Sequence, residues 1–169
     1  MMTHTQELRT TPFHAYHISQ GAKMVDFTGW DMPLHYGSII QEHNQVRNSG
    51  GLFDVSHMGR IKFTGKDACH LLDRLCSRQI LGMQSGQIRY SLVCNEHGGC
   101  HDDVLVNKID ENEYLMVCNG ANREKILAHI EANKADFTCK VKDETDSTAM
   151  IAVQGPKVME LLSKVSSEI

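Results

Sequence analysis

Two short linkers do most to limit how this chain can fold: NEHGG, residues 95–99, and KIDENE, residues 108–113. They separate three runs of strand character, around Tyr90–Cys94, Cys100–Asn107 and Tyr114–Cys118. Linkers this short make an antiparallel meander the simplest connection. GRIKFTG alternates with period two and predicts a further strand, while Ala68, Leu71, Leu72 and Leu75 fall at helical spacing and predict one apolar stripe. Pro12 can open a helix running to Gln20, with Gly21 as its stop. Ser38-Ile39-Ile40-Gln41 has the S-x-x-Q form of a capping box and predicts a helix to about Asn48. Between them, GAKMVDFTGWDMPLHYGS lacks helical period and reads as short strands and loops. Asn122–Lys134 predicts a helix burying Ile126, Leu127 and Ile130, and Cys139–Val141 and Ala149–Val153 predict two more strands. Gln154-Gly155-Pro156 opens a last predicted helix, striped by Val158, Leu161, Leu162 and Val165. This mixture has no regular βαβ alternation, so the expected class is α+β, with antiparallel sheets and flanking helices.

The 169 residues are enough for one domain with a real core, or one domain plus part of another. A hydrophobic fraction of 41% with 22% charged residues excludes a disordered chain. The formal net charge of -4 leaves no basic footprint, so nucleic acid is not an expected partner. No apolar run approaches the ~20 residues of a membrane span. The opening MMTHTQELRT has neither the apolar core of a signal peptide nor the pattern of a transit peptide. A soluble, cytoplasmic protein is expected. Its six cysteines (Cys69, Cys76, Cys94, Cys100, Cys118 and Cys139) are then expected as free thiols, with no CxxC pair among them.

The stretch NEHGGCHDDVLV, Asn95–Val106, concentrates chemistry. Cys94, His97, Cys100 and His101 are zinc-type ligands. Cys100 and His101 are neighbours, however, and neighbours on a strand point to opposite faces, so a tetrahedral site would need a kink there. An exposed hairpin with incidental Cys and His is the better reading, and no metal is expected. The same alternation puts Asp102 with Val104 and Val106, and Asp103 with Leu105 and Asn107, which argues against a carboxylate dyad. The pattern alone favours a turn-capping Asp pair over a proton-transfer group in a cleft, and it does not choose between the two aspartates. DVSHMG, Asp54–Gly59, holds the residue types of a hydrolase triad, but adjacency in sequence is no evidence for one. A turn in which Ser56 and His57 satisfy backbone groups is expected instead.

In order along the chain, GAKMVDFTGWDMPLHYGSIIQEH, VRNSGGLFDVSHMGRIKFTG, the GG-x-x-DD of GGCHDD, VCNGANREK and IAVQGPK resemble the glycine cleavage T-protein family, the aminomethyltransferases. The resemblance runs from about Thr11 to Lys157. It implies an enzyme that takes the aminomethyl group from the lipoyl arm of H-protein, releases ammonia and passes the one-carbon unit to tetrahydrofolate. It implies that Asp103, the second Asp of the motif, is the catalytic acidic residue near N10 of the folate, and that no metal is needed. By the same resemblance Met58, Tyr90, Val117 and Asn119 contact the folate. Cys100 and His101 stand where relatives are usually aliphatic, and Asn107 where some carry an aromatic residue. The family fold implies a discontinuous first domain, about 1–50 and 148–169, and an inserted second domain, 51–147. The third domain and further folate residues would lie beyond this chain, leaving an incomplete pocket and uncovered apolar surface. The alternatives within reach of the same resemblance are a folate-binding paralogue that assists iron–sulfur assembly, a folate-dependent demethylase, and a fragment without activity.

Overall fold

The structure, a computed structural model, describes residues 7–165. Its residues fall into two compact units, one built from the chain up to His57 and again from Ala149, the other from Met58–Thr148. In the first unit, helix α1 (His14–Ser19) ends against Gly21, whose φ of +73° supplies the predicted stop. Strands β1 (Lys23–Phe27) and β2 (Trp30–His35) form an antiparallel hairpin closed by Thr28 and Gly29, both at positive φ. Trp30 and Met32 of β2 are buried, and the Arg9 guanidinium lies 4.1 Å above the indole. Helix α2 (Ile39–Asn48) starts as predicted, with Ser38 Oγ accepting from the Gln41 N–H. The return arm of the box differs from expectation: Glu42, one residue on, accepts from the Tyr36 N–H at 2.8 Å. Strand β3 (Gly51–Asp54) follows.

The second unit is the meander and its helices. Strand β4 (Gly59–Thr64) leads to α3 (Ala68–Leu75), then β5 (Ile88–Cys94), β6 (Cys100–Asp110) and β7 (Glu113–Cys118). A one-turn 3-10 helix, Gly120–Asn122, runs into α4 (Arg123–Asn133), and β8 (Lys140–Asp143) closes the unit. The sheet order is β5-β6-β7-β4-β8, antiparallel throughout. One sheet face carries Ile61, Phe63, Val93, Val104, Val106, Tyr114 and Met116, in one core with Leu71 and Leu72 of α3 and Ile126 and Ile130 of α4. Each side chain buried there contributes about 1.5–3 kcal/mol. All four residues of the predicted Ala68–Leu75 stripe are buried, whereas Leu127 is only partly so. At the head of α4 the Arg123 guanidinium is gripped by Asp143, 2.6 Å from Nε, and by Asp146, 3.0 Å from Nη2. The other sheet face leaves Ile88, Tyr90, Leu92 and Leu105 exposed.

The chain then returns to the first unit. Strand β9 (Ile151–Gln154) pairs with β3, Leu52 opposite Val153, so Gly51–Asp54 stands with this unit. Gly155, at φ +131°, has no room for a side chain: a Cβ would lie 2.6 Å from Gly50 Cα and from the Ser49 carbonyl oxygen. Both backbone strain and collision follow. Gly155→Ala is expected to lower stability by about 2–3 kcal/mol, read as a reduced urea midpoint at unchanged slope. Helix α5 (Val158–Leu162) departs from its prediction. It stops before Val165 and none of its residues is buried, Leu161 being 45% exposed. An apolar stripe reports which face can be covered, and this one is covered only in part, with Val158 and Leu162 half-buried and Val158 lying against Gly50. No helix of the described residues is long and apolar enough to cross a membrane.

Candidate functional site

Strand register gathers most of the residues that the T-protein resemblance singles out. In β5–β6, Tyr90 lies opposite Leu105 and Leu92 opposite Asp103; in β6–β7, Leu105 lies opposite Val117. Directly opposed residues share a face. Tyr90, Leu105 and Val117 therefore form one row across three strands on the face away from the helices, with Leu92 and Asp103 as the next row. Val117 is buried there, while Tyr90 is 54% exposed. Asn119 follows the end of β7, and Met58 precedes β4 at the adjoining position, since Gly59 pairs with Cys118. The Met58 carbonyl is fixed by Arg60 Nη1 at 2.8 Å. All five named residues thus lie in the second unit.

The two aspartates take opposite faces, as alternation requires. Asp102 is 4% exposed, beside Val104 and Val106, and Asp103 lies on the open face. Each oxygen of Asp103 accepts one hydrogen bond: Oδ2 from the Tyr90 hydroxyl at 3.0 Å, Oδ1 from Asn119 Nδ2 at 2.9 Å. That bond, more than any other influence, raises the Tyr90 pKa, so the phenol keeps its proton and acts as donor. Asp102 is satisfied by neutral donors. Its Oδ2 accepts from the Asn119 backbone N–H at 2.8 Å, and its Oδ1 from Asn119 Nδ2 at 2.9 Å and Asn122 Nδ2 at 2.6 Å. One amide nitrogen therefore bridges both carboxylates, although their side chains leave the strand on opposite faces.

Turn chemistry, the reading that pattern alone favoured for the Asp pair, belongs to Asn95. Its Oδ1 accepts from the His97 and Gly99 N–H groups at 3.0 and 2.7 Å, with Gly98 at φ +80°. The zinc-type side chains go to separate partners. Cys100 Sγ meets the Asp102 carbonyl at 3.5 Å, His97 stands beside Glu96, and the His101 ring packs 4.8 Å from that of His129. Burial, and secondarily His101, lowers the His129 pKa. Among the described residues no group of three or more His, Cys, Asp or Glu is placed to hold a metal ion. The six cysteines are free, and burial pushes Cys76 up to about 11 and Cys118 up to about 12, so these two are protonated and inert.

The first unit holds a polar cluster that motif reading missed. Asp54 Oδ2 accepts from Thr11 Oγ1 at 2.6 Å and lies 2.9 Å from His17 Nε2, while its Oδ1 accepts from the Ser56 N–H at 2.9 Å. His17 Nδ1 lies 2.6 Å from the Tyr36 hydroxyl. Burial first, then nearby Tyr16 and Asp54, raises the Tyr36 pKa, so its O–H donates to Nδ1 and leaves Nε2–H for Asp54. His17, Tyr36 and Asp54 border a cleft of about 600 Å³ with Phe13, Leu52 and Ile151. The Ser56 hydroxyl donates to the Met150 carbonyl and accepts from the Met150 N–H, bridging backbone as expected. Only the D-x-S turn of Asp54-Val55-Ser56 hinted at this cluster.

Known proteins resemble this chain in sequence and in fold. Residues 13–169 match the family described as the GCVT N-terminal domain. An aminomethyltransferase of Rubrobacter xylanophilus is 46% identical over 155 residues, covering 92% of this chain and 41% of its own length. One from Thermotoga maritima is 44% identical over 158 residues, covering 94% of this chain and 43% of its own. A crystal structure of the glycine cleavage system aminomethyltransferase T from Bartonella henselae aligns at TM-score 0.90 and 32% identity, over 96% of this chain and 45% of that one. The chain spans less than half the length of these relatives. With the family matched from Phe13 onward and the fold shared with one of its solved members, the chain belongs to the GCVT aminomethyltransferase family and corresponds to its N-terminal portion.

Proposed function

We propose that the protein carrying this sequence is the aminomethyltransferase of a glycine cleavage system. It transfers the one-carbon unit from the aminomethyl-dihydrolipoyl arm of H-protein to tetrahydrofolate. The carbon loses its bonds to sulfur and to nitrogen, which leave as dihydrolipoyl thiol and ammonia, and 5,10-methylenetetrahydrofolate forms. One observation carries the reading: an exposed carboxylate, Asp103, is held from both sides by Tyr90 and Asn119, beside the apolar side chains of Leu92 and Leu105 on the same sheet face. A carboxylate so held can orient the attacking folate nitrogen, accept its proton, and stabilise the iminium-like cation as the bond to carbon breaks. Met58, Tyr90 and Val117 supply apolar surface for the flat pterin, and Asn119 supplies a polar edge. The two compact units correspond in this proposal to the family's discontinuous first domain and the second domain inserted in it. The family's third domain would then lie outside this chain. A cytoplasmic location goes with it.

The test is direct. The full-length protein, given tetrahydrofolate and aminomethylated H-protein, is expected to release ammonia and methylenetetrahydrofolate in equal amounts. A well-folded protein that binds tetrahydrofolate without turnover would overturn the transferase reading in favour of a binding paralogue.

A further inference from the structure

A carboxylate buried in a sheet core loses several kcal/mol of hydration unless donors replace the water. Asp102 is such a group, and no Lys or Arg pairs with it among the described residues. Its donors are Asn119 N, Asn119 Nδ2 and Asn122 Nδ2, from the segment after β7. An amide side chain can present either end, and here the carboxylates choose. Asp102 Oδ1 and Asp103 Oδ1 each lie 2.9 Å from Asn119 Nδ2, with one N–H for Asp102 and the other shared between Asp103 Oδ1 and the Asp103 carbonyl oxygen at 3.3 Å. The opposite orientation would set the amide oxygen against two carboxylate oxygens. Asn119 Oδ1 is left without a hydrogen-bond donor among the described residues, so toward a ligand this side chain is an acceptor only.

We propose that Asp102 is a positioning residue: by fixing which way the Asn119 amide points, it holds Asp103 in place and restricts the ligand edge at Asn119 to an N–H donor. This rests on the aminomethyltransferase reading, since the donor is then an N–H of the pterin of tetrahydrofolate, whose ring and 2-amino group both carry them. Asp102 itself needs no contact with the substrate.

Asp102→Asn tests it. The Asn119 backbone N–H cannot turn, so the new side chain must offer its oxygen there, which puts its NH2 where Oδ1 was. The Asn119 amide then flips to meet it, turning its own oxygen on Asp103. In the full-length protein kcat and tetrahydrofolate affinity are each expected to fall about 10–100-fold, the effect of one buried hydrogen-bond group mismatched. In an Asn119→Ala background the same change should cost less than about 3-fold, because positions acting through one another are not additive. Equal losses in both backgrounds would mean a merely structural Asp102 and would sink the proposal. The Asn119 side-chain NH2 resonances, read by 15N NMR, give an arm independent of activity. They are expected to move strongly in Asp102→Asn, and in the opposite direction in Asn122→Ala, where Asp102 Oδ1 loses its competing donor and binds the Asn119 N–H more tightly; the second variant serves if the first does not fold. Unmoved resonances refute the positioning role. A wild-type protein that is inactive while these resonances still depend on Asp102 refutes the transferase reading and upholds the positioning role.

Discussion

Asp103→Asn is expected to lower turnover of the full-length protein about 10²–10⁴-fold, the usual contribution of a placed general acid–base group. The loss should fall on kcat, with tetrahydrofolate affinity changed less than about 3-fold, because the flat apolar surface of Tyr90 and Val117 is untouched. The substitution keeps shape and leaves one oxygen to accept from Tyr90 or Asn119, but removes the basic lone pair that the proton needs. Asp103 is exposed and contributes nothing to the sheet core, so thermal stability should stay within about 0.5 kcal/mol of wild type. Tyr90→Phe removes one of the two donors that aim the carboxylate and should cost far less than Asp103→Asn. Rapid-quench measurement of methylenetetrahydrofolate on saturating aminomethylated H-protein separates these effects. Retention of a third or more of wild-type kcat in Asp103→Asn would remove Asp103 from the chemistry.

How the aspartates divide was half legible in the sequence, and the boundary is physical. Period-two alternation is a local property of the backbone, so Cys100–Asp110 announced that Asp102 and Asp103 leave on opposite faces. The linkers NEHGG and KIDENE announced the meander, and the helical spacing of Ala68, Leu71, Leu72 and Leu75 announced a buried stripe. Alternation does not say which face meets the helices, since that is decided by α3 and α4 arriving from elsewhere in the chain. Nor could it pair Asp102 with Asn119 and Asn122, because the bond depends on where β7 ends against β6. The same limit explains the capping differences. Glu42 replaces Gln41 as the return arm because Tyr36 places its N–H by the path of β2, which a four-residue motif does not contain. The stripe of α5 was readable, but what would bury it was not.

Asp54 shows the limit most plainly, since its partners Thr11 and His17, and Tyr36 beyond His17, lie far from it in the sequence, and its removal is expected to be the most destabilising change in the first unit. The carboxylate side chain is 2% exposed and that of His17 is 6% exposed. Asp54→Ala would leave Thr11 Oγ1, His17 Nε2 and the Ser56 N–H without their acceptor in a site that water does not reach freely. The cost of breaking such a buried group is about 3–5 kcal/mol. Asp54→Asn keeps one acceptor oxygen and should cost about half as much. The dependence on pH has a definite sign. Burial pushes the Asp54 carboxyl up, but the hydrogen bonds from Ser56, Thr11 and His17 outweigh it and hold the pKa below the ordinary value. A group whose folded pKa is depressed stabilises fully above its unfolded pKa of about 3.9 and loses that contribution as pH falls through the folded value. The contribution of the Asp54 charge to the stability gap between wild type and Asp54→Asn should therefore be present above about pH 4 and be lost as pH falls below it. Urea unfolding at several pH values, followed by the fluorescence of Trp30, which lies in the same unit, measures it. A gap that stays constant into acid would show that the charge on Asp54 contributes nothing, and that its place in the first unit is one of shape alone.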